Sequence, residues 1–314
     1  MTKIYQRPIQ DLAGLTYPCS CGRTHQVDIQ AIRVGSGCLK ELPDILRQLG
    51  ASRVFLLADN YTFEAAGRQV EELLQQAQIP YHTRLFQTTT PLVPNEYALG
   101  SALAAMETED DMLLAVGSGT LNDLTKYISA RTGVPYVIAA TAPSMDGYAS
   151  TVAPMILDGV KTTLPAVYPA AIIADVDILK DAPMPMLTAG FGDIIGKYTA
   201  LCDWRLSRQL FDEYYCEEAA ILMEQALEKC ANNAKALSQR DPAAVEAVTE
   251  ALILSGVAMG LVGNSRPASG AEHHMAHYWE MDALRRGKEH PLHGNAVGAS
   301  AVISASLYEL AAAE

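Results

Sequence analysis

Asp111-Met-Leu-Leu-Ala-Val-Gly-Ser-Gly-Thr-Leu-Asn-Asp123 is the stretch that decides the fold class. Its first half is a short apolar run, as expected of a parallel strand buried on both faces. Its second half sets Gly117, Ser118, Gly119, Thr120 and Leu121 directly after that strand and at the start of a helix. Glycines there let the backbone approach a pyrophosphate, and the helix N-terminus adds N–H donors and the positive end of its dipole. The spacing is not the usual G-x-G-x-x-G, because no third glycine stands at the expected place, and a glycine turn also serves plain chain reversal.

The same alternation extends outward. Residues 53–59 form a second apolar run, which ends on a carboxylate, Asp59. At a strand's C-terminal end Asp59 is placed to accept hydrogen bonds from a ribose diol and to repel the extra phosphate of NADP, which favours NAD; the alternative is a turn residue ahead of Asn60. A helical stretch centred on residues 70–75 follows, and residues 134–140 give a third apolar run. Strands alternating with helices predict a Rossmann-like α/β dinucleotide-binding domain with a parallel sheet, over residues 1–185. After Pro183-Met-Pro185 the texture changes. Residues 193–209, 216–238, 243–263, 272–286 and 296–313 read as helices, with no convincing strand after Thr188. Residues 186–314 are therefore expected to form an all-α metal- and substrate-binding domain, with the active site in the cleft between the two.

The chain has 314 residues, 49% of them hydrophobic and 19% charged, a globular balance able to bury a sizeable core. A net charge of −13 argues against a general nucleic-acid binder, so any phosphate must be held by a local site rather than an overall field. No uninterrupted apolar span approaches the roughly 20 residues of a membrane helix, and the N-terminus lacks the apolar middle of a signal peptide. A cytoplasmic protein without membrane contact is the expectation. Of the six cysteines, Cys19 and Cys21 form a local pattern with His25. Three potential ligands fall short of the four of a closed structural zinc site, so the expectation is free thiols near the surface of an N-terminal turn.

Five of the seven histidines, His273, His274, His277, His290 and His293, fall within one short stretch. His273 and His277 are four apart on a predicted helix and project from one face. With a third histidine from the loop around Pro291 and Gly294, they could form the inner shell of a divalent metal. A catalytic metal also wants a carboxylate, and Asp193 is the candidate, following Gly190 and Gly192 and expected to open a helix. The alternative role for Asp193 is an i,i+4 pair with Lys197.

At this point the residues resemble a known family. Residues 117–127, 141–150, 190–197 with Asp203-Trp204, Ser265-Arg-Pro-Ala-Ser-Gly-Ala-Glu-His273 and His293-Gly-Asn-Ala-Val-Gly298 are similar to the glycerol-1-phosphate dehydrogenases, bacterial branch. These belong with glycerol dehydrogenase and dehydroquinate synthase in the iron-containing alcohol dehydrogenase superfamily. The resemblance implies a metal site of Asp193, His273 and His293, holding zinc or nickel, with His290 the alternative ligand. It implies that His277 lies by the substrate and relays a proton. It puts NAD(H) or NADP(H) on the 117–121 loop and on Thr141, Ala142, Pro143 and Ser144, with Ser150 nearby. Asp146 would contact substrate hydroxyls beside Asp193. Lys197 and Arg266, or Lys161, would hold a substrate phosphate. The implied reaction interconverts dihydroxyacetone phosphate and sn-glycerol 1-phosphate in a dimer or larger homo-oligomer. Rivals are a glycerol dehydrogenase acting on an unphosphorylated polyol, a dehydroquinate-synthase-like lyase, and a non-catalytic remnant of the scaffold. The last draws on the expectation that family members continue beyond Glu314 with further helices.

Overall fold

The computed structural model describes residues 2–289 and 291–312. The chain divides into two compact units and passes between them four times, rather than once near residue 185. Asp28–Ala142 with Ser150–Ala182 makes the first; residues up to Val27, Pro143–Ala149 and those from Pro183 onward make the second. Two short segments expected in the α/β domain therefore belong with the helices.

The N-terminal segment carries a small antiparallel hairpin, β1 (Thr16–Pro18) and β2 (Thr24–Gln26). The first unit is built on six strands, β3 (Ala31–Gly35), β4 (Val54–Asp59), β5 (Tyr81–Phe86), β6 (Met112–Gly117), β7 (Tyr136–Ala140) and β10 (Ala171–Asp175). They lie in the order β3-β10-β7-β6-β4-β5, and every pairing is parallel. Helices α1 (Leu42–Gln48), α2 (Asn60–Thr62), α3 (Arg68–Gln76), α4 (Glu96–Ala105) and α5 (Gly119–Thr132) lie between successive strands, and α6 (Val176–Leu179) follows β10. β6, β7 and β10 are buried throughout, which is why their sequences run apolar without alternation. A hairpin that the sequence did not announce, β8 (Val152–Leu157) and β9 (Val160–Pro165), stands apart from the sheet. Its exposed, threonine-bearing outer strand carries no apolar signal.

The second unit holds α7 (Met184–Ile195), α8 (Lys197–Phe211), α9 (Glu217–Asn232), α10 (Ala234–Leu237), α11 (Pro242–Val262), α12 (Ala271–Arg285) and α13 (His293–Ala312). Two boundaries differ from expectation. Asp193 does not open a helix; it lies near the end of α7, whose interior contains Gly190 and Gly192. His293 is not in a loop but is the first residue of α13. Helix α11 is long and apolar enough by composition to cross a membrane, although no uninterrupted apolar span was expected; 72% of its apolar window is buried, as in a core helix.

Candidate active site

Glycine-mediated close approaches build the site. A β-carbon on Gly190 would lie 1.9 Å from the carbonyl oxygen of Pro143, and one on Gly256 would lie 2.6 Å from the backbone of Ala149. Only glycines admit segment 143–149 against α7 and α11, and that contact fixes Asp146. Along the crossing of α7 and α13, a β-carbon on Gly192 would meet the carbonyl oxygen of Gly294 at 2.4 Å. One on Gly294 would meet that of Ala189 at 1.8 Å, and one on Gly298 would meet Cα of Gly192 at 2.9 Å. Backbone thus touches backbone, and Asp193 on one helix is brought to His293 on the other. The penalty glycine usually carries inside a helix is offset here by contacts that no larger residue permits.

Asp193, His273 and His293 each offer one ligand atom, and these atoms lie within 4.8 Å of one another. His273 Nδ1 sits 2.7 Å from Glu272 Oε1, and His293 Nδ1 sits 2.8 Å from Glu280 Oε1. A carboxylate only accepts, so each Nδ1 carries a proton, and in the neutral imidazole that leaves the lone pair on Nε2. His273 Nε2 lies 3.6 Å from Asp193 Oδ1. Glu272 is itself held by the Thr199 hydroxyl at 2.7 Å and the Gly270 N–H at 2.8 Å. His277 stacks on His293, ring centroids 5.3 Å apart and planes 22° apart, and meets His273 edge-on at 5.9 Å. His277, Glu280 and His293 form a second overlapping group of potential ligands.

Lys197, fully buried, donates to Asp193 Oδ1 and to Asp146 Oδ2, each at 2.7 Å. Ser255 donates to the same Asp146 oxygen at 2.8 Å, and the Asp146 N–H donates to Asp193 Oδ2 at 3.0 Å. Burial pushes the Asp193 carboxyl up, but the Lys197 ammonium and His273 outweigh it and hold the carboxyl well below the usual range. Burial likewise works against the Lys197 charge, and Asp146 and Asp193 more than restore it. Desolvation and Lys197 both oppose protonation of His273, yet Asp193 and Glu272 raise its pKa overall. The i,i+4 pair of Asp193 and Lys197 is present together with the clustering of Asp193 and the histidines.

Sequence reasoning missed Glu272, Glu280 and Ser255. Glu280 had a signal, since positions 273, 277 and 280 share one helical face. The expected phosphate cations are otherwise engaged: Lys197 as described, and Arg266 by Glu213 at 2.8 Å in a half-exposed pair. His274 turns its Nδ1 to the Gly270 carbonyl at 3.0 Å. His290 lies outside the described residues.

In the α/β unit the chain runs from β4 to β5 on one side and returns to β6 on the other, so β4 and β6 flank the point where strand order reverses. Open parallel sheets bind ligands beyond the carboxyl ends of such strands. Asp59 is the last residue of β4 and Gly117 the last of β6. Asp59 Oδ1 accepts the N–H groups of Tyr61 and Thr62, at 2.9 and 2.8 Å, and so caps α2, as the turn alternative required. A β-carbon on Gly117 would fall 2.5 Å from the Leu121 side chain, so that glycine also seats α5 against the sheet. The Thr141 N–H donates to the Gly117 carbonyl at 3.0 Å. Ser150 accepts from Lys126, a second fully buried ammonium, at 3.0 Å; Lys126 also reaches Asp123 and the Val152 carbonyl. Pro143 and Ser144 fall in the segment grouped with the helices.

A family model described as iron-containing alcohol dehydrogenase matches residues 33–183. The fold is shared with a probable glycerol dehydrogenase from Sinorhizobium meliloti, with TM-score 0.67, 22% identity, and 86% of this chain and 74% of that one covered. The glycerol-1-phosphate dehydrogenase (NAD(P)+) of Halalkalibacterium halodurans is 40% identical over 93% of this chain and 74% of its own length. That of Methanosarcina mazei is 36% identical over 88% and 76%. This chain belongs to the iron-containing alcohol dehydrogenase family. Within it, its place is with the glycerol-1-phosphate dehydrogenases.

Proposed function

We propose that this chain is a metal-dependent, NAD(P)-linked oxidoreductase interconverting dihydroxyacetone phosphate and sn-glycerol 1-phosphate. The observation that carries the reading is the convergence of Asp193, His273 and His293, with each imidazole backed by its own glutamate, in a chain 40% identical to a glycerol-1-phosphate dehydrogenase. The donor set fits a divalent metal: two imidazole nitrogens and a carboxylate, each imidazole with a glutamate behind it, and fewer protein ligands than a closed site needs. Zinc and nickel both suit it.

When bound, the metal supplies Lewis acidity at the carbonyl oxygen and the nicotinamide supplies hydride. The chain's own residues do the rest. Lys197 keeps Asp193 ionised, and Glu272 and Glu280 keep Nε2 of His273 and His293 aimed at the shared point. Asp146, oriented by Lys197 and Ser255, meets a substrate hydroxyl, and His277, stacked on His293, moves the proton to or from the alcohol oxygen. The 117–121 loop, Thr141, Ala142, Pro143, Ser144, Ser150 and Asp59 hold the dinucleotide. The chain is expected to act as a dimer or larger, checked by light scattering.

The test is NADH oxidation after chelator stripping and reloading with zinc or nickel, with dihydroxyacetone phosphate or dihydroxyacetone as substrate. Metal-dependent turnover restricted to the phosphorylated ketone supports the reading. Turnover of neither, with metal bound, sinks it. A second reading, a glycerol dehydrogenase for an unphosphorylated polyol, is favoured by the Arg266–Glu213 pair, which occupies one expected phosphate ligand. Turnover of dihydroxyacetone alone would establish that reading instead.

A further inference from the structure

A second cluster of metal-binding side chains lies outside the active site. Cys19 and Cys21 sit in the turn between β1 and β2, His25 is the middle residue of β2, and Cys216 is the N-cap of α9. Their four ligand atoms lie within 4.8 Å of one another. The Sγ atoms of Cys19 and Cys216 are 3.8 Å apart, and Cys216 Sγ is 3.5 Å from His25 Nε2. Zinc bonds of about 2.3 Å to sulfur and 2.05 Å to nitrogen imply tetrahedral edges of about 3.8 Å and 3.6 Å. Cys21 Sγ, 3.2 Å from His25 Nε2, needs only a small outward shift. All six cysteines are free thiols, so no disulfide uses these sulfurs.

In the empty cluster burial pushes the Cys19 and Cys216 thiols up, and hydrogen-bond donors around the sulfurs work against that rise. Each sulfur meets a backbone N–H: Cys19 that of Cys21, Cys21 that of Arg23, and Cys216 that of Ala219 in the first turn of α9. The Tyr214 hydroxyl donates to Cys21 Sγ at 3.2 Å. Arg23 lies over the Tyr214 ring at 3.4 Å, bringing a cation to the cluster's edge. The His25 ring hydrogen-bonds the backbone of Leu261, an arrangement that fixes a ligand imidazole's tautomer. The local fold calls for a tie, since β1 and β2 have three residues each and a hairpin that short is marginal alone.

We propose that Cys19, Cys21, His25 and Cys216 form a closed structural zinc site that staples the N-terminal hairpin to the start of α9. Binding releases the three thiol protons, and the resulting site, two positive charges against three thiolates, carries one net negative charge. That charge faces the α9 N-terminus and Arg23. The four ligands complete the shell, so this ion is structural and takes no substrate.

Cobalt substitution tests this independently of the catalytic reading, because only thiolate ligands give a strong near-ultraviolet sulfur-to-cobalt charge-transfer band. The purified full chain, stripped and reloaded with cobalt, should show that band. His273→Ala, which damages only the nitrogen–oxygen site, should keep it. Cys216→Ser and Cys21→Ser should each weaken or abolish it, with Cys21, half-exposed, serving if the Cys216 variant fails to fold. In zinc-loaded protein Cys19, Cys21 and Cys216 should resist a thiol reagent and react once chelator is added. Absence of the band in cobalt-loaded wild type, or its persistence in both cysteine variants, overturns the proposal. So does a Cys19–Cys216 disulfide found by mass spectrometry in zinc-loaded protein.

Discussion

The helical unit holds two metal-type clusters on opposite plans. At Asp193, His273 and His293 the donors are nitrogen and oxygen, drawn from three helices, and acceptors back them, Glu272 and Glu280. At Cys19, Cys21, His25 and Cys216 the donors are mostly sulfur, drawn from a hairpin and a helix cap, and N–H groups back them. Carboxylates behind imidazoles make the ligands more basic while leaving positions open, which suits an ion that must meet substrate. Amide groups behind sulfurs stabilise thiolate charge, and four ligands close the shell, which suits an ion that only holds chain together. The partner behind the ligand tells the two apart before any ion is seen.

The largest test of that contrast is a ligand substitution on each side. Asp193→Asn is expected to lower kcat/KM by roughly 10³-fold or more, about 4 kcal/mol, even with zinc or nickel in excess. Cys21→Ser should lower the melting temperature and leave kcat/KM where it was; a matching collapse of activity would erase the distinction. Next comes Lys197→Met, which strands Asp146 and Asp193 in the interior without their cation. Urea unfolding should register a loss of about 3–5 kcal/mol, and a cost below about 1 kcal/mol would mean the pair is solvated after all. Glu280→Gln should weaken metal affinity by roughly 10–100-fold, read by chelator competition, with kcat recovering at saturating metal. Failure to recover would move Glu280 into the chemistry itself. The smallest effect belongs to Arg266→Ala, outside both clusters. Its half-exposed pair with Glu213 should be worth less than about 1 kcal/mol, and KM for the phosphorylated ketone should hold. A raised KM would return Arg266 to the phosphate pocket.

How much of this was legible follows from where the signals lie. The strand, loop and helix around Gly117 were readable because a buried parallel strand cannot alternate and a glycine-rich turn must follow it. Asp193 and the histidines were readable as chemistry because ligand types crowd in sequence or match a family motif. Their local structure was misread at two points, both involving glycine. Gly190 and Gly192 looked like a helix boundary and Gly294 like a loop, whereas all three sit inside helices as contact points. Only the partner helix, distant in sequence, supplies that reason. Cys216 was beyond local reading too: it stands 191 positions from His25, and nothing near it marks it as a ligand. The division into units was hidden for the same reason, since segment 143–149 is short and is claimed by helices that come later in the chain.

The crossing of α7 and α13 has a genetic consequence. Every amino acid that a missense change can put at Gly192, Gly294 or Gly298 brings a β-carbon, and at each position that atom would lie within 3 Å of the opposing backbone. These three codons therefore admit no mild missense allele. Alanine, usually the gentlest replacement in a helix, should emerge from a mutational screen beside changes to the metal ligands, because it pushes apart the two helices that carry Asp193 and His293.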